Sequence, residues 1–488
     1  MVADEFNHLL IGDTFASGRL TNPAHAFWQH FETIYVLHQP TYTSHYSPGQ
    51  GFVLALGQVI AGNPWWGVWA STGLMCGAVC WMLGGWLETQ WALVGGLVCV
   101  FQFGIFSFWM NSYMGGSVAA IGGAMALGAL PRLKRTSRAA WAVVLALGLA
   151  VVMMTRPYEG LFFSGAVGIF VAVWLLRAAS IPIREKIISI VLPVASIALA
   201  SVAIQGYYNY RVTGNALLMP VQLSMHLYGV PRGLSSKRPA PEPSFRYPEL
   251  RKVYEWQWTT WTPLKQRIKA FWRFYGGLPL LLGVLFLPLA RRSGAFQLIA
   301  IGVALAAGQL FYWFFLAHYL APFTAAWWAL IFIGLRALWN WKAIHPRLRH
   351  AAVIAVVIAE ILLNIKAGII GVGGLRLFQY SDQREKIEEQ LTKEGGRHLV
   401  FVHYSPNHNF HIEWVFNSAN IDRQSIVWAR ELDPVSDARL AGHFRDRSIW
   451  VADADVMPVR LCRWVSREEQ APAVRANLVY RQPGDRSH

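Results

Sequence analysis

Residues 66–86 read WGVWASTGLMCGAVCWMLGGW and contain no charged side chain. A run of this length can cross the hydrocarbon core of a bilayer as one helix, which takes about 20 residues. The rest of the 488-residue chain has a similar character, because only 14% of its residues are charged, against roughly 25% in soluble domains. The mean hydropathy is +0.32. The composition predicts an α-helical polytopic membrane protein and excludes a string of ordinary soluble domains.

Apolar runs predict about ten membrane spans. They cover residues 66–86, 91–110, 113–130, 139–155, 158–178, 186–205, 275–290, 295–315, 319–338 and 350–372. The short apolar stretch 51–61 is too short to span, and we interpret it as a juxtamembrane helix on the outer surface.

Basic residues in short loops predict the orientation of the protein in the membrane, since short loops rich in Lys and Arg are mostly cytoplasmic. The basic residues fall in four loops of the same parity, namely Arg132, Lys134, Arg135 and Arg138; Arg177, Arg184 and Lys186; Arg291 and Arg292; and Arg336, Lys342, Arg347 and Arg349. These loops are therefore predicted to be cytoplasmic. The net charge of +16 fits such loops and anionic lipid sites, so we expect no nucleic acid partner.

This orientation places three segments outside and defines the predicted domains. Residues 1–65 form an outer first loop with the juxtamembrane helix, and residues 66–374 form the transmembrane domain. The long loop 206–274 within that domain is predicted to be outer, although its eleven Lys/Arg and three acidic residues oppose this. Long loops cross the membrane largely regardless of charge.

Residues 375–488 differ in composition from the spans, with sixteen basic and sixteen acidic side chains. Val400–Val402 and Ile449–Val451 are short apolar runs typical of buried strands. Residues Gln383–Lys393 have the pattern of a helix. We therefore predict a small soluble α/β domain on the outer, periplasmic side.

The first 65 residues concentrate polar groups that could do chemistry. Asp4 and Glu5 precede an apolar helix, where a carboxylate could act as a general base toward a hydroxyl group. The alternative for Asp4 is helix capping. This segment also contains five histidines, His8, His25, His30, His38 and His45, whose spacings do not form a compact metal-binding pair. We expect hydrogen bonding near the membrane surface rather than a metal site.

Residues 155–160, TRPYEG, lie at the predicted outer ends of two spans. Arg156 is the one cation in the short outer loops and could hold a lipid phosphate, because a guanidinium group matches phosphate geometry. An ion pair with Glu159 that fixes the turn is the alternative. His318 and Tyr319 mark a second outer turn, with interfacial anchoring as the default role.

Two further features remain open. Glu360 and Lys366 lie within the last span, where charged residues are functional candidates, although they could also pair with other helices. The basic and aromatic stretch around Lys265, Lys269 and Trp272 predicts an amphipathic interfacial helix. Such a helix could gather an anionic lipid donor or rest on anionic headgroups.

Five stretches resemble the GT-C superfamily of membrane glycosyltransferases, in particular bacterial relatives of protein O-mannosyltransferases and aminoarabinose transferases. They are DEFNHLLIGDTFASGRLTNPAHAFWQHFE (4–32), PTYTSHYSPGQGFVLALGQ (40–58), WMNSYMGGSVAAIGGA (109–124), RPYEG (156–160) and HYLAPF (318–323). The resemblance extends over nearly the whole chain. Superfamily members have a span before the acidic pair, and only three residues precede it here, so we expect either a start further upstream or a truncated chain.

The resemblance implies an inverting glycosyltransferase with a polyprenyl-phosphate-linked sugar as donor and a glycan, lipid or protein as acceptor. It implies Asp4 as the base and Glu5 as its neighbour. Donor-phosphate or substrate contacts are expected from Arg156, Tyr158, Glu159, His318, Tyr46 and His45. No cofactor is implied as a requirement, and a divalent cation is compatible with the reaction. The expected location is the bacterial inner membrane, among membrane lipids, with the active site on the periplasmic face.

Two other functions remain open at this point. One is a polytopic transporter or flippase of lipid-linked glycans, and the other is an inactive GT-C relative. A transporter is expected to carry charge or broken helices near the middle of the membrane. A catalyst is expected to concentrate its polar groups at one face, as this sequence does.

Overall fold

The computed structural model describes residues 3–105, 107–229, 238, 242–277, 279–290, 294–312, 314–374, 379–410 and 412–464. The predicted basic pair Arg291 and Arg292 and the tail after residue 464 lie outside the described residues. The described part of the chain is mostly helical and divides into two compact units. Residues 1–24 and 34–378 form the first unit, and residues 25–33 and 379–488 form the second.

The first unit begins with two helices and a small three-stranded sheet. Helix α1 covers Ala3–Ala16 and helix α2 covers Pro48–Ala61. Between them lie the strands β1 (Asn22–Pro23), β2 (Val36–Leu37) and β3 (Thr41–Ser44), with β3 in the middle and antiparallel to both neighbours. Helix α2 contains residues 51–61, which the sequence predicts to be a short helix.

Fifteen helices occupy the described residues of this unit in all. After α2 they are α3 (Trp65–Trp86), α4 (Thr89–Gly104), α5 (Gly116–Thr136), α6 (Ala139–Thr155), α7 (Pro157–Arg177), α8 (Ile183–Thr213), α9 (Pro220–Tyr228), α10 (Pro248–Thr259), α11 (Leu264–Tyr275), α12 (Leu281–Leu285), α13 (Ala295–Leu310), α14 (Ala317–Trp339) and α15 (Pro346–Gly374).

Six of these helices are long and apolar enough to cross a membrane, namely α3, α5, α7, α8, α14 and α15. They match six of the predicted spans. Three other predicted spans correspond to the shorter apolar helices α4, α6 and α13. The chain is therefore a multi-pass membrane protein with broadly the predicted architecture.

The span predicted over residues 275–290 is wrong as one continuous helix. Helix α11 ends at Tyr275, and the described residues that follow form only the short α12 and a 3-10 turn at Leu287–Ala290. Gly276 and Gly277 interrupt the run because glycine disfavours a helix. Pro279 and Pro288 add to this, since proline removes a backbone donor and clashes with the preceding turn.

The first unit has a buried centre and an apolar exterior. Helices α5 and α14 are largely buried, whereas α8 and α15 are mostly exposed along their apolar spans. Leu199 and Val202 of α8, for example, are 72% and 69% exposed. Helices that are apolar on all sides are expected where lipid replaces water as the surroundings.

Helices α5 and α6 approach closely through two glycines. An added Cβ at Gly122 would lie 2.6 Å from the Gly148 carbonyl oxygen, and one at Gly148 would lie 2.6 Å from the Gly122 carbonyl oxygen. Small residues at such crossings bring two backbones together, which is a common means of helix association in membranes. This contact helps to place the end of α6, and with it Arg156, in the unit.

The second unit is a small α/β fold, as predicted for the tail. Its described elements are α16 (Gln379–Glu394), β4 (His398–His403), β5 (Ile426–Arg430), α17 (Pro434–His443), β6 (Ser448–Asp453) and β7 (Arg460–Arg463). The sheet order is β5-β4-β6-β7, with β4 parallel to β5 and β6, and β7 antiparallel to β6. The predicted helix and both predicted strands are confirmed.

Residues 25–33 pack in this second unit rather than with the rest of the first 65 residues. Nδ1 of His30 lies 3.1 Å from the carbonyl oxygen of Arg430 at the end of β5. The His30 ring also lies 6.2 Å from the ring of Phe401 in β4. The chain therefore uses a distant segment to cover one part of the sheet.

Candidate active site

The first turn of α1 carries the predicted catalytic pair, and both carboxylates have contacts. The hydroxyl group of Tyr46 donates a hydrogen bond to Oδ1 of Asp4. The backbone N–H of Tyr113 donates to Oε1 of Glu5 over 3.2 Å. Asp4 is the second residue of α1 rather than a residue that precedes the helix. Its described hydrogen bond runs to a side chain 42 positions further along the chain.

Tyr46 lies in a short connection that follows β3 and precedes α2. The Tyr46 N–H donates to the Ser44 hydroxyl group over 3.1 Å, which fixes the turn. The Tyr46 ring stacks on His8 of α1 at 4.5 Å and meets the edge of His45 at 4.4 Å. Burial, followed by the negative charge of Asp4, holds the pKa of Tyr46 well above 10. Tyr46 therefore stays a neutral donor toward Asp4.

Tyr46 also forms part of the wall of a large cavity. The cavity has a volume of about 1540 Å³ and is bordered by α6, α7, α8 and α9. Most of its wall is apolar, with contributions such as Leu149, Met153, Val194 and Val202. A space of this size exceeds a common small-molecule pocket and suits a long apolar ligand.

Five polar side chains of the wall lie near one another. Nη1 of Arg156 is 3.8 Å from Oε1 of Glu159, and the Arg156 guanidinium carbon is 5.3 Å from the centre of the Tyr319 ring. Tyr312 lies 6.0 Å from Tyr319 and 5.5 Å from Tyr158, measured between ring centres. Arg156 and Glu159 both line the cavity. The other wall residues of this group are His45, Tyr46, Tyr158, Tyr312 and Tyr319.

Arg156 does not use its full hydrogen-bonding capacity. Its Nε has no hydrogen-bond partner among the described residues. The separation of 3.8 Å from Glu159 is also long for a paired contact, since strong pairs of this kind lie at about 2.7–2.9 Å. Among the described wall residues, Arg156 is the only Lys or Arg and Glu159 the only carboxylate. Both predicted roles of Arg156, the ion pair and phosphate binding, fit this geometry.

Two neutral imidazoles lie beside the Asp4–Tyr46 pair. Burial lowers the pKa of His45 to about 3. Burial also lowers the pKa of His8 to about 3, helped by the positive charge of Arg156. Neither nitrogen of the His45 ring has a hydrogen-bond partner among the described residues. His45 is also a wall residue, and both of its ring nitrogens are buried.

The remaining predicted residues have more structural contacts. The Tyr158 hydroxyl group donates to the Gly308 carbonyl oxygen over 2.7 Å, although the residue also lines the cavity. His318 is buried and stacks on Phe108 at 5.7 Å. His318 and Glu5 are not among the described residues of the cavity wall. The structure therefore brings Arg156, Tyr158, Glu159, Tyr46 and His45 together and reaches Asp4 through Tyr46.

Several wall residues were not singled out from the sequence. Tyr312 precedes the second outer turn, and Tyr319 is predicted only as part of that turn. Helices α8 and α9 also form part of the wall. The one local signal is the density of aromatic residues in FYWFFLAHY (311–319). Their approach to Arg156 is a tertiary contact that spacing along the chain does not reveal.

The arrangement combines three chemical capabilities. An apolar cavity can take a long hydrocarbon chain, and Arg156 can neutralise an anion at its wall. Asp4 offers a carboxylate that is one hydrogen bond away from that wall. Together these groups suit the transfer of a group from an anionic lipid to a nucleophile that must lose a proton.

Comparison with known proteins gives matches at the level of structure only. No protein family model matches the sequence, and no curated protein matches it. The structure is similar to the Archaeoglobus fulgidus oligosaccharyltransferase tethered with an acceptor peptide, at a TM-score of 0.46 and 11% identity. That match covers 92% of this chain and 64% of the oligosaccharyltransferase, so this chain spans less than two thirds of that protein's length.

The structure is also similar to ArnT from Cupriavidus metallidurans. The apo form matches at a TM-score of 0.49 and 14% identity, and the form bound to undecaprenyl phosphate at 0.47 and 12%. Each match covers 92% of this chain and 88% of ArnT. ArnT and the oligosaccharyltransferase belong to the GT-C superfamily, which the sequence also resembles.

Proposed function

We propose that this protein is a membrane glycosyltransferase that moves a sugar from a polyprenyl-phosphate donor to the hydroxyl group of an acceptor. The main support for the proposal is the hydrogen bond that connects the cavity wall with the carboxylate of Asp4. An apolar cavity holds Arg156 and Tyr46 in its wall, and Tyr46 donates to Asp4. The sequence resemblance independently assigns the base role to the same acidic pair.

The cavity supplies the features that a polyprenyl phosphate would need. Apolar side chains from α6, α7 and α8 would contact the isoprenoid chain, whose transfer from water is favourable. Arg156 would bind the phosphate, because its planar guanidinium group can donate two parallel hydrogen bonds. Glu159 would keep Arg156 oriented until the phosphate takes over as its partner.

The reaction would be a single displacement at the anomeric carbon. The acceptor oxygen attacks that carbon while Asp4 accepts the hydroxyl proton. The bond between the anomeric carbon and the phosphate oxygen breaks, and polyprenyl phosphate leaves with the electron pair. Arg156 stabilises the negative charge that grows on this phosphate. Attack from the face opposite the leaving group inverts the configuration, so the transferase would be inverting.

Other wall residues would orient the reactants. Tyr46 positions the Asp4 carboxylate through its hydrogen bond. His45 is neutral near pH 7, because burial lowers its pKa to about 3, and its ring can exchange hydrogen bonds with a sugar hydroxyl group. The faces of Tyr312 and Tyr319 provide the kind of flat apolar surface on which a sugar ring can rest. Tyr158, Glu5 and His318 support these elements from neighbouring positions.

We also propose where the reaction takes place. The basic short loops favour a cytoplasmic side for Arg132 and Arg336, which assigns Asp4 and Arg156 to the opposite face. In a bacterial inner membrane this is the periplasmic face. A lipid-linked donor presents its phosphate at the membrane surface, where this site would lie. The same orientation makes residues 1–65 and 375–488 periplasmic segments.

Lipid binding tests the donor part of the proposal directly. The purified full-length protein is mixed with undecaprenyl phosphate in detergent, and the bound lipid is quantified by native mass spectrometry. Arg156→Ala should weaken binding about 10- to 100-fold, because a hydrogen bond to a charged group contributes roughly 1.5–3 kcal/mol. Arg138→Ala is the matched control, since Arg138 flanks the opposite end of the same helix α6.

The control separates a specific site from general attraction to positive charge. Binding that falls for Arg156→Ala but not for Arg138→Ala supports the proposed phosphate site. Equal binding by the wild type and both variants, or an equal loss in both, would remove Arg156 from the donor site.

A further inference from the structure

Three potential metal ligands from distant parts of the sequence meet in the second unit. Nε2 of His25 lies 3.3 Å from Oδ1 of Asp422, and Nε2 of His443 lies 3.1 Å from the same oxygen. His25 belongs to the segment 25–33, Asp422 lies in the connection before β5, and His443 ends α17. One ligand atom from each of the three residues lies within 4.8 Å of the other two.

We propose that His25, Asp422 and His443 bind a zinc ion that holds residues 25–33 on the second unit. Two imidazoles and one carboxylate are common zinc ligands. Nitrogen ligands disfavour magnesium and calcium, which prefer oxygen. Tetrahedral zinc with bonds of about 2.0–2.1 Å would separate its ligand atoms by about 3.3 Å. The two nitrogen–oxygen distances, 3.3 and 3.1 Å, are close to this separation.

Aromatic packing fixes the positions of the two imidazoles. The His25 ring meets the edge of Phe31 at 4.9 Å and of His443 at 5.5 Å. The His443 ring in turn packs against Phe27 at 5.3 Å and Phe444 at 4.7 Å. Side chains held by such packing lose little conformational freedom when they bind a ligand.

The site is open enough for an ion and its water ligand to enter. The side chains of Asp422 and His443 are 54% and 41% exposed, whereas that of His25 is 10% exposed. Three protein ligands leave one tetrahedral position for water.

One local contact must change when zinc binds. The Phe27 N–H donates to Nδ1 of His25 over 3.0 Å, which leaves the ring proton on Nε2. Zinc at Nε2 requires that proton on Nδ1, so the Phe27 hydrogen bond must open. Three coordinate bonds replace this single hydrogen bond and the two hydrogen bonds to Asp422. The geometry therefore predicts a local rearrangement at residues 25–27 on zinc binding.

Zinc titration of the full-length protein in detergent tests this site without a need for substrate. The protein is treated with a chelator and dialysed, and ZnCl2 is then added while metal content and thermal unfolding are measured. We expect one zinc ion per chain, bound at micromolar or lower concentration, together with a higher Tm. His443→Ala removes a direct ligand and should weaken zinc binding by at least about 100-fold. Loss of a residue that only hydrogen-bonds to a metal ligand typically weakens binding by about 10- to 100-fold, and loss of a ligand costs more.

His403→Ala is the matched control. His403 is another exposed histidine of the second unit, and its Nδ1 lies 2.6 Å from a carboxylate oxygen of Glu431. His403→Ala should bind zinc like the wild type. Without added zinc, His443→Ala should melt close to His403→Ala, which verifies that the variant is folded. No zinc bound by the wild type at micromolar concentration, or equal affinity in His443→Ala and the wild type, would overturn the proposal.

Discussion

The hydroxyl group of Tyr46 donates a hydrogen bond to the carboxylate of Asp4. Tyr46 belongs to the cavity wall, and Asp4 lies in the first turn of α1. This contact connects the largely apolar cavity with the residue that we propose as the base. It also orients the carboxylate, because burial holds the pKa of Tyr46 well above 10 and keeps the phenol protonated.

Loss of the Tyr46 hydroxyl group should slow transfer without abolishing it. In Tyr46→Phe the ring packing against His8 and His45 is retained, but the donor to Asp4 is lost. We expect kcat to fall about 10- to 100-fold, the equivalent of a hydrogen bond to a charged group at roughly 1.5–3 kcal/mol. KM for the donor should change little, because Arg156 remains. Steady-state kinetics with a polyprenyl-phosphate-linked sugar would measure both constants.

Tyr254→Phe is a suitable control for this experiment. Tyr254 is a buried tyrosine outside the cavity wall, and its hydroxyl group has no hydrogen-bond partner among the described residues. This variant should keep the wild-type kcat. A Tyr46→Phe enzyme with unchanged kcat would refute the positioning role of Tyr46.

The buried His45 should make the protein less stable in acid. Burial lowers its pKa from 6.5 to about 3, so the unfolded chain binds a proton in this interval and the folded chain does not. Stability is therefore lost as the pH falls below 6.5, by up to about 1.4 kcal/mol per pH unit for one such group. His45→Gln removes this titration, so its free energy of unfolding should depend less steeply on pH.

Equilibrium unfolding in detergent at pH 7 and pH 5 would measure the difference. His345→Gln serves as the matched control, because it makes the same substitution at an exposed position. The comparison concerns the slope with pH, so a general loss of stability in His45→Gln does not obscure it. Parallel pH profiles for His45→Gln and the wild type would argue against a neutral, buried His45.

The close crossing of α5 and α6 should be sensitive to a single methyl group. An alanine Cβ at position 148 would lie 2.6 Å from the Gly122 carbonyl oxygen and 2.7 Å from the Ala126 backbone nitrogen. Because these are backbone atoms, the helices must separate, at a cost of about 1–3 kcal/mol. Gly148→Ala should therefore lower the Tm in detergent.

Gly168→Ala provides the matched substitution in α7. An added Cβ there meets no atom within 4 Å, and alanine favours a helix over glycine by about 0.8–1.0 kcal/mol. Its Tm should equal or exceed that of the wild type. If Gly148→Ala and Gly168→Ala have the same Tm, the close α5–α6 crossing is not a determinant of stability.

The sequence predicts the helices well where the signal is local. The run 66–86 becomes α3 (Trp65–Trp86), and the tail forms the predicted strands around Val400 and Trp450. The error over residues 275–290 arises because average hydropathy gives little weight to Gly276, Gly277 and the two prolines. Their effect on the backbone ends the helix although the run is apolar.

The site is less predictable because its parts meet only in the folded chain. Local patterns in the sequence single out Asp4 and Arg156, and the family resemblance adds Tyr46. The approach of Tyr312 and Tyr319 to Arg156 depends on how α7 and α14 are placed. Likewise, the proposed zinc site cannot be predicted from the spacing of the N-terminal histidines. The other two proposed ligands, Asp422 and His443, lie about 400 positions away from His25 in the sequence.

Sugar transfer by Asp4→Asn is the most direct test of the proposed mechanism. The full-length enzyme is assayed with a radiolabelled polyprenyl-phosphate-linked sugar, and transfer to acceptor is compared with that of the wild type. Asparagine keeps the shape of aspartate and can still accept the Tyr46 hydrogen bond, but it cannot act as the base. Transfer should fall by about 10²- to 10⁴-fold.

Asp13→Asn, the same change in the same helix, is the control and should remain active. Asp13 accepts a hydrogen bond from Gln58 over 3.1 Å. Activity of Asp4→Asn near that of the wild type would contradict the assignment of Asp4 as the base.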